Sequence, residues 1–153
     1  MRKIIKTIKS FIAGVLMLIF FIFAISMTML LLNYNKYGLT QFGNTTLVMI
    51  SDFITSDTLK KGDLVFVKSE KITDLELGEE IFVYRIVSNN KVMVEVGKVG
   101  QIYEDEDAVA FENGDIFSKE FVMGTADKVY NKVGTYLSIV ESKWGFLFLV
   151  LVP

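Results

Sequence analysis

The chain has 153 residues, 52% of them hydrophobic, with 16 Lys and Arg against 18 Asp and Glu, and neither cysteine nor histidine. Without cysteine there are no disulfides, thiolate metal sites or cysteine nucleophiles; without histidine the usual near-neutral base, the usual zinc ligand and any imidazole triad are gone. The formal charge of -2 hides an asymmetry: Arg2, Lys3, Lys6 and Lys9 place +4 on residues 1–10, and the other 12 basic and 18 acidic residues leave -6 on the rest. An acidic remainder with no basic cluster gives no footprint for nucleic acid.

Residues 11–32, FIAGVLMLIFFIFAISMTMLLL, carry no charge and only Ser26 and Thr28 as hydroxyl residues. At about 1.5 Å per residue they reach roughly 33 Å as a helix, enough for a hydrocarbon core of about 30 Å. The expectation is a transmembrane helix behind a cytoplasmic basic tail at 1–10, with the main domain outside the cell membrane. The alternative, a cleaved signal peptide, calls for an apolar core of roughly 7 to 15 residues and a small-x-small site. Ala24-Ile25-Ser26 is only a fair match, and six mostly apolar residues follow it. Residues 33–45, NYNKYGLTQFGNT, read as an interfacial connector in which Tyr34, Tyr37 and Phe42 suit the headgroup level.

From residue 46 the pattern becomes that of short strands, and residues 46–145 are expected to form a β-rich extracytoplasmic domain. TLVMI at 46–50 and LVFVK at 64–68 read as strands, the second fed by a turn at Gly62-Asp63. SEKITDLELGEE reads as a loop or a short turn of helix. IFVYRIVS and KVMVEVGKV flank Asn89-Asn90 as a hairpin, Asn113-Gly114 marks a second one, and Gly124 interrupts a later strand as a bulge or bend. The acidic run Glu104 to Asp107 lacks the spaced ligands and the glycine of a calcium loop and reads as a solvated hairpin end, so no metal and no cofactor is expected. Residues 146–153, FLFLVLVP, are too short to span a bilayer; they suit either an apolar piece packed on the domain or the start of a second membrane helix.

With these pieces in place, the chain resembles the membrane-bound type I signal peptidases, in particular the archaeal and endoplasmic-reticulum-like group also found in Gram-positive bacteria. DTLKKGDLVFVK stands where that family has the tail of its nucleophile box. FVYRIV stands at the second catalytic box, EFVMGTADKV at a later strand, and VGTYLSIVESKWGFLFLVLVP at the exit toward the membrane. The resemblance implies an antiparallel β domain behind one anchor, an extended substrate in a shallow apolar cleft, and a serine activated by lysine or histidine.

The departures fall on the chemistry. Counting back from Gly62-Asp63, the nucleophile position holds Ile54, or Phe53 with one residue inserted, and the base position ahead of Arg85 holds Tyr84. A phenol with a pKa of about 10 is a poor base at neutral pH. A later acidic position is matched by Asp115. Ser51, Thr55 and Ser56 are the fallback nucleophiles, with Lys60, Lys61 or Lys68 as activators. The reading is a non-catalytic signal-peptidase-like membrane protein that binds an exported preprotein or a pilin-like subunit and assists its assembly, working beside a sortase or an active signal peptidase. The alternatives are an active signal peptidase with a displaced serine or threonine, and a structural envelope protein without a peptide ligand.

Overall fold

The computed structural model describes residues 2–88 and 91–136. The expected second membrane segment and the Asn89-Asn90 turn therefore lie outside the described residues. The chain forms two compact units, Met1–Thr40 and Gln41–Pro153.

In the first unit a single helix, α1, runs over Arg2–Leu32, so Lys6 and Lys9 extend the apolar helix by further turns of the same element. Ile4–Leu32 is long and apolar enough to cross a membrane, and none of it is buried within the protein. Its polar side chains satisfy themselves locally. Ser26 Oγ donates to the Ile22 carbonyl and Thr28 Oγ1 to that of Ala24, both at 2.8 Å, and Asn33 Nδ2 to that of Met29 at 2.7 Å. Such back-bonding is what lets a hydroxyl sit in a hydrocarbon environment. After the helix, Asn35 Oδ1 accepts the N–H groups of Tyr37 and Leu39, and Tyr34 bridges Thr40.

The second unit is mainly β. Its described strands are β1 (Gln41–Phe42), β2 (Thr45–Met49), β3 (Leu64–Lys68), β4 (Glu80–Val87), β5 (Lys91–Tyr103), β6 (Ala108–Phe111), β7 (Ile116–Ser118) and β8 (Val122–Tyr130). They form one antiparallel sheet in the order β1-β2-β3-β8-β4-β5-β6-β7. Both expected hairpins are present, as β4–β5 and as β6–β7. At the second, Gly114 takes φ +91° and the Asn113 side chain accepts the N–H of Asp115 at 2.9 Å. The segment ahead of β4 folds as a short 3-10 turn at Ile72–Asp74.

The last strand, β8, is inserted between β3 and β4. It kinks to serve both, with register shifts opposite Phe66/Val67 and opposite Phe82/Val83. Gly124 stands at the second shift with φ +129°, and a Cβ there would lie 1.9 Å from the Lys68 carbonyl oxygen. Only glycine permits that approach. Ile81, Val83, Val99, Val109, Phe111 and Phe117 pack into one buried cluster, and Phe82 and Tyr84 between and beside them on β4 are buried as well, so β4 is covered on both faces.

Between β2 and β3 the chain makes a loop over residues 50–63 whose base is sealed by the turn the sequence marks. Ile50 N–H donates to the Asp63 carbonyl and Gly62 N–H to that of Ile50, both at 2.9 Å. Asp63 is 4% exposed. Its carboxylate accepts the N–H of Lys60 at 3.0 Å and, from the far end of the described chain, that of Lys132 at 3.1 Å. Gly62 takes φ +86°, and a side chain there would meet Thr135 Oγ1 at 2.0 Å. A buried carboxylate holding two backbone donors is costly to lose, because both N–H groups are then stranded. Asp63→Ala should lower the unfolding free energy of the detergent-solubilised full chain by about 2 to 4 kcal/mol in a urea titration. Ser51→Ala, at an exposed site on the same loop, should leave it within about 0.5 kcal/mol.

Candidate functional site

The loop over residues 50–63 is fastened a second time, at its middle, and this second fastening shapes the site. Ser56 Oγ donates to the Glu80 carboxylate at 3.0 Å and accepts the N–H groups of Thr58 at 3.2 Å and Leu59 at 3.1 Å. Thr58 Oγ1 donates to Glu80 Oε2 at 2.7 Å and Asp57 N–H to Oε1 at 2.9 Å. Burial disfavours the charge on Glu80, but the Thr58 hydroxyl, the Asp57 N–H and the Ser56 hydroxyl outweigh it, and its pKa lies below the ordinary carboxylate value. Beside it, Lys98 Nζ pairs with Asp57 Oδ2 at 2.6 Å. That hydrogen bond lowers the Asp57 pKa and raises that of Lys98.

A second ionic group stands on β4. Arg85 donates from Nε and Nη2 to Glu95 across the β4–β5 pair, and from Nη2 to Asp115 in the β6–β7 turn. Its guanidinium lies over the Phe117 ring at 5.1 Å. The hydrogen bonds to Glu95, then those to Asp115, hold it above its already high ordinary pKa against the cost of burial. Asn113 Nδ2 steadies Asp115 from the other side at 3.1 Å.

Two open clefts lie between these groups. The larger, about 420 Å³, is lined among others by Thr55, Ser56, Glu80, Lys98 and Glu112. The smaller, about 250 Å³, is lined by Phe53, Arg85, Val87, Met93 and neighbours on β5. Thr55, Glu95 and Val96 belong to both, so the two are halves of one slot.

The sequence-marked residues distribute unevenly around it. Phe53, 78% exposed, stands at the mouth. Thr55, Ser56 and Arg85 line the walls, and Asp115 supports Arg85. Ile54 is half-buried and turns its N–H to the Ser51 carbonyl at 3.1 Å, Ser51 is exposed, and Tyr84 is buried on the face of β4 opposite Arg85. None of these last three lines the slot. Gly62 and Asp63 seal the loop base away from it.

Among the described residues no hydroxyl of Ser51, Thr55 or Ser56 is hydrogen-bonded to a lysine amine; Lys61 pairs instead with Asp52 at 2.6 Å on the open surface. Glu80 and Glu95 escaped the sequence reading. A carboxylate alternating with valines, as in Val94-Glu95-Val96 opposite the Arg85 strand, is the signal that points to Glu95.

No family model matches the chain, and no curated protein or solved structure matches it.

Glu80 has a lowered pKa in the folded chain, so the hold it gives on residues 56–58 is complete above the ordinary carboxylate pKa and is lost as pH falls through the lower folded value. Hydrogen exchange of the Asp57 and Thr58 amides should therefore accelerate, beyond the intrinsic pH trend, as pH falls below the ordinary carboxylate range. In Glu80→Gln the same amides should exchange fast already at pH 7, with that pH dependence gone.

Proposed function

We propose that the chain is a membrane-anchored, non-catalytic binding module of the signal peptidase type that receives an extended segment of an exported protein and assists its assembly. The observation that carries this reading is the slot itself. It is walled by Phe53 and Thr55 on the loop that corresponds, by the resemblance, to the nucleophile box, and by Arg85 and Glu95 on the strand pair of the second box. Its one well-held hydroxyl, Ser56, is engaged by a carboxylate and not by an amine. Nucleophilic catalysis needs a hydroxyl and an activating base in hydrogen-bond reach. The positions that the resemblance assigns to that pair hold Ile54 or Phe53 and Tyr84.

The anchor fits the same reading. A helix that is apolar over Ile4–Leu32 and basic at its start keeps its N-terminus in the cytoplasm under the positive-inside rule and delivers the β unit to the outer surface. There its partners are the lipid bilayer, an exported preprotein or pilin-like subunit, and a sortase or active signal peptidase acting on the same substrate.

A labelled peptide spanning the end of a signal sequence and the first residues of the mature protein tests this on detergent-solubilised full chain. Saturable binding without shortening of the peptide is expected, weakened about tenfold by Phe53→Asp, which places a charge at the slot mouth. Cleavage of the peptide that disappears in Ser51→Ala, Thr55→Ala or Ser56→Ala would overturn the reading in favour of an active peptidase.

A further inference from the structure

Strand β5 changes partners partway along. Over Lys91–Lys98 it pairs with β4, and from Val99 to Tyr103 it pairs with β6 on its other edge. Val99 N–H donates to the Glu79 carbonyl on the β4 side at 2.9 Å, whereas the Lys98 carbonyl accepts from Glu112 N–H on the far side at 3.0 Å. Backbone groups alternate in direction along an antiparallel strand, and the β4–β5 register runs without a shift. Val92, Val94 and Val96 therefore turn their N–H and C=O groups away from β4. Among the described residues no strand pairs with that edge and no side chain bonds to it.

Both halves of the slot run along this edge. Successive residues of a strand face opposite sides of the sheet, yet Met93, Val94, Glu95 and Val96 all line the smaller cleft, and Glu95, Val96, Gly97 and Lys98 all line the larger. A cleft floored by the strand edge accounts for this. The 53–57 loop walls one side, tied to Glu80 and Lys98. Arg85 and the 112–113 turn wall the other.

The charge of the walls is not balanced. Of the carboxylates on the slot, Asp57 is paired with Lys98, and Glu95 shares Arg85 with Asp115. Among the described residues Glu80 takes hydrogen bonds only from neutral donors and Glu112 is exposed without a salt bridge, both feeling the Lys98 charge that Asp57 already engages.

We propose that an extended peptide segment adds to the free edge of β5 over Val92–Val96 as a β-strand, and that the segment it selects is β-branched and flanked by lysine or arginine. Five residues of strand cover about 17 Å. Over that length three N–H and three C=O groups are offered, and alternate side chains of the segment point to the Phe53 wall and the Arg85 wall. The excess of carboxylates favours cationic flanks and disfavours acidic ones. The inference rests on the reading of the chain as a binder of an exported segment, and it specifies which edge is used and which peptide chemistry fits.

The test uses the full chain in detergent and a fluorescent heptapeptide of alternating valine and threonine with lysine at both ends. Saturable binding is expected, reduced at least about tenfold by Val94→Pro, which removes an outward N–H and no β4–β5 hydrogen bond. N-methylation of alternate peptide residues gives the same answer without a protein variant: one alternate set abolishes binding and the other leaves it unchanged. Glutamate at both ends should weaken binding about fivefold at low salt, with the difference shrinking at about 1 M salt. Binding indifferent to Val94→Pro and to both methylation sets overturns strand addition while leaving a binder of exported segments intact. So does failure of the heptapeptide with a protein that binds the signal-sequence peptide; failure with both overturns the underlying reading too. A dimer made monomeric by Val94→Pro, with peptide binding unchanged, would assign the edge to a second copy and also overturn the proposal.

Discussion

The β unit depends on one constraint: β5 must leave β4 and take up β6 within a few residues. Two glycines make this possible. The Phe111 ring lies so close over Gly97 that a Cβ there would sit 2.3 Å from it, and at Gly100 a Cβ would reach the Glu112 backbone at 3.0 Å. A side chain at Gly97 would displace the Phe111 ring, and one at Gly100 would require the Glu112 backbone to give by a few tenths of an ångström. Phe111, with its ring centroid 4.8 Å from that of Phe117, belongs to the cluster around Ile81, Val83 and Val99, so the Gly97 contact bears on the core. The same swing brings Asp115 to Arg85, so the ionic group on the slot wall is a consequence of the crossing. It also leaves the first half of β5 with one edge uncovered among the described residues. Natural sheets blunt or occupy such valine-rich edges because a bare one invites uncontrolled pairing.

The loop that overhangs this edge is held by two carboxylates of different kinds. Asp63 is buried and gives its oxygens to backbone N–H groups of residues 60 and 132, closing the loop at its base. Glu80 is half-buried and gathers two hydroxyls and one N–H from residues 56–58. Charge-assisted hydrogen bonds to fixed backbone donors are worth about 1.5 to 3 kcal/mol, whereas exposed ion pairs such as Lys61–Asp52 contribute about 0 to 1 kcal/mol. The rigidity of the loop therefore comes from its polar turns and not from its lysines. Phe53 is carried between the two fastenings, which explains how a side chain can be so exposed and still hold a defined place at the slot mouth.

Much of this frame was legible because it is local. Asn113-Gly114 and Gly62-Asp63 each specify a turn within a few residues, IFVYRIV and KVMVEV a pair of strands, and each is realised in the fold. Gly124 announced a distortion, and the distortion is a bulge. What could not be read are the relations between distant segments. Nothing near residues 122–130 says that this strand enters between β3 and β4, and nothing near Glu80 says that it faces Ser56. The uncovered edge of β5 is of the same kind: it follows from where β6 begins to pair, not from any residue of β5. Arg85 and Asp115 were marked separately through the resemblance, and the fold brings them together.

The Glu80 cluster bears on chemistry as well as on shape. A hydroxyl has one proton to donate and two lone pairs, and Ser56 spends all of them, on Glu80 and on the N–H groups of Thr58 and Leu59. To become a nucleophile it would have to surrender its proton to Glu80, the one base it touches among the described residues. Each donor that fixes the loop stabilises the Glu80 carboxylate and lowers its affinity for that proton. Better anchoring thus means a weaker base. Under the proposed reading, the donors that firm the wall beside a bound segment also weaken the drive for proton abstraction, so in this cluster binding and hydrolysis make opposite demands.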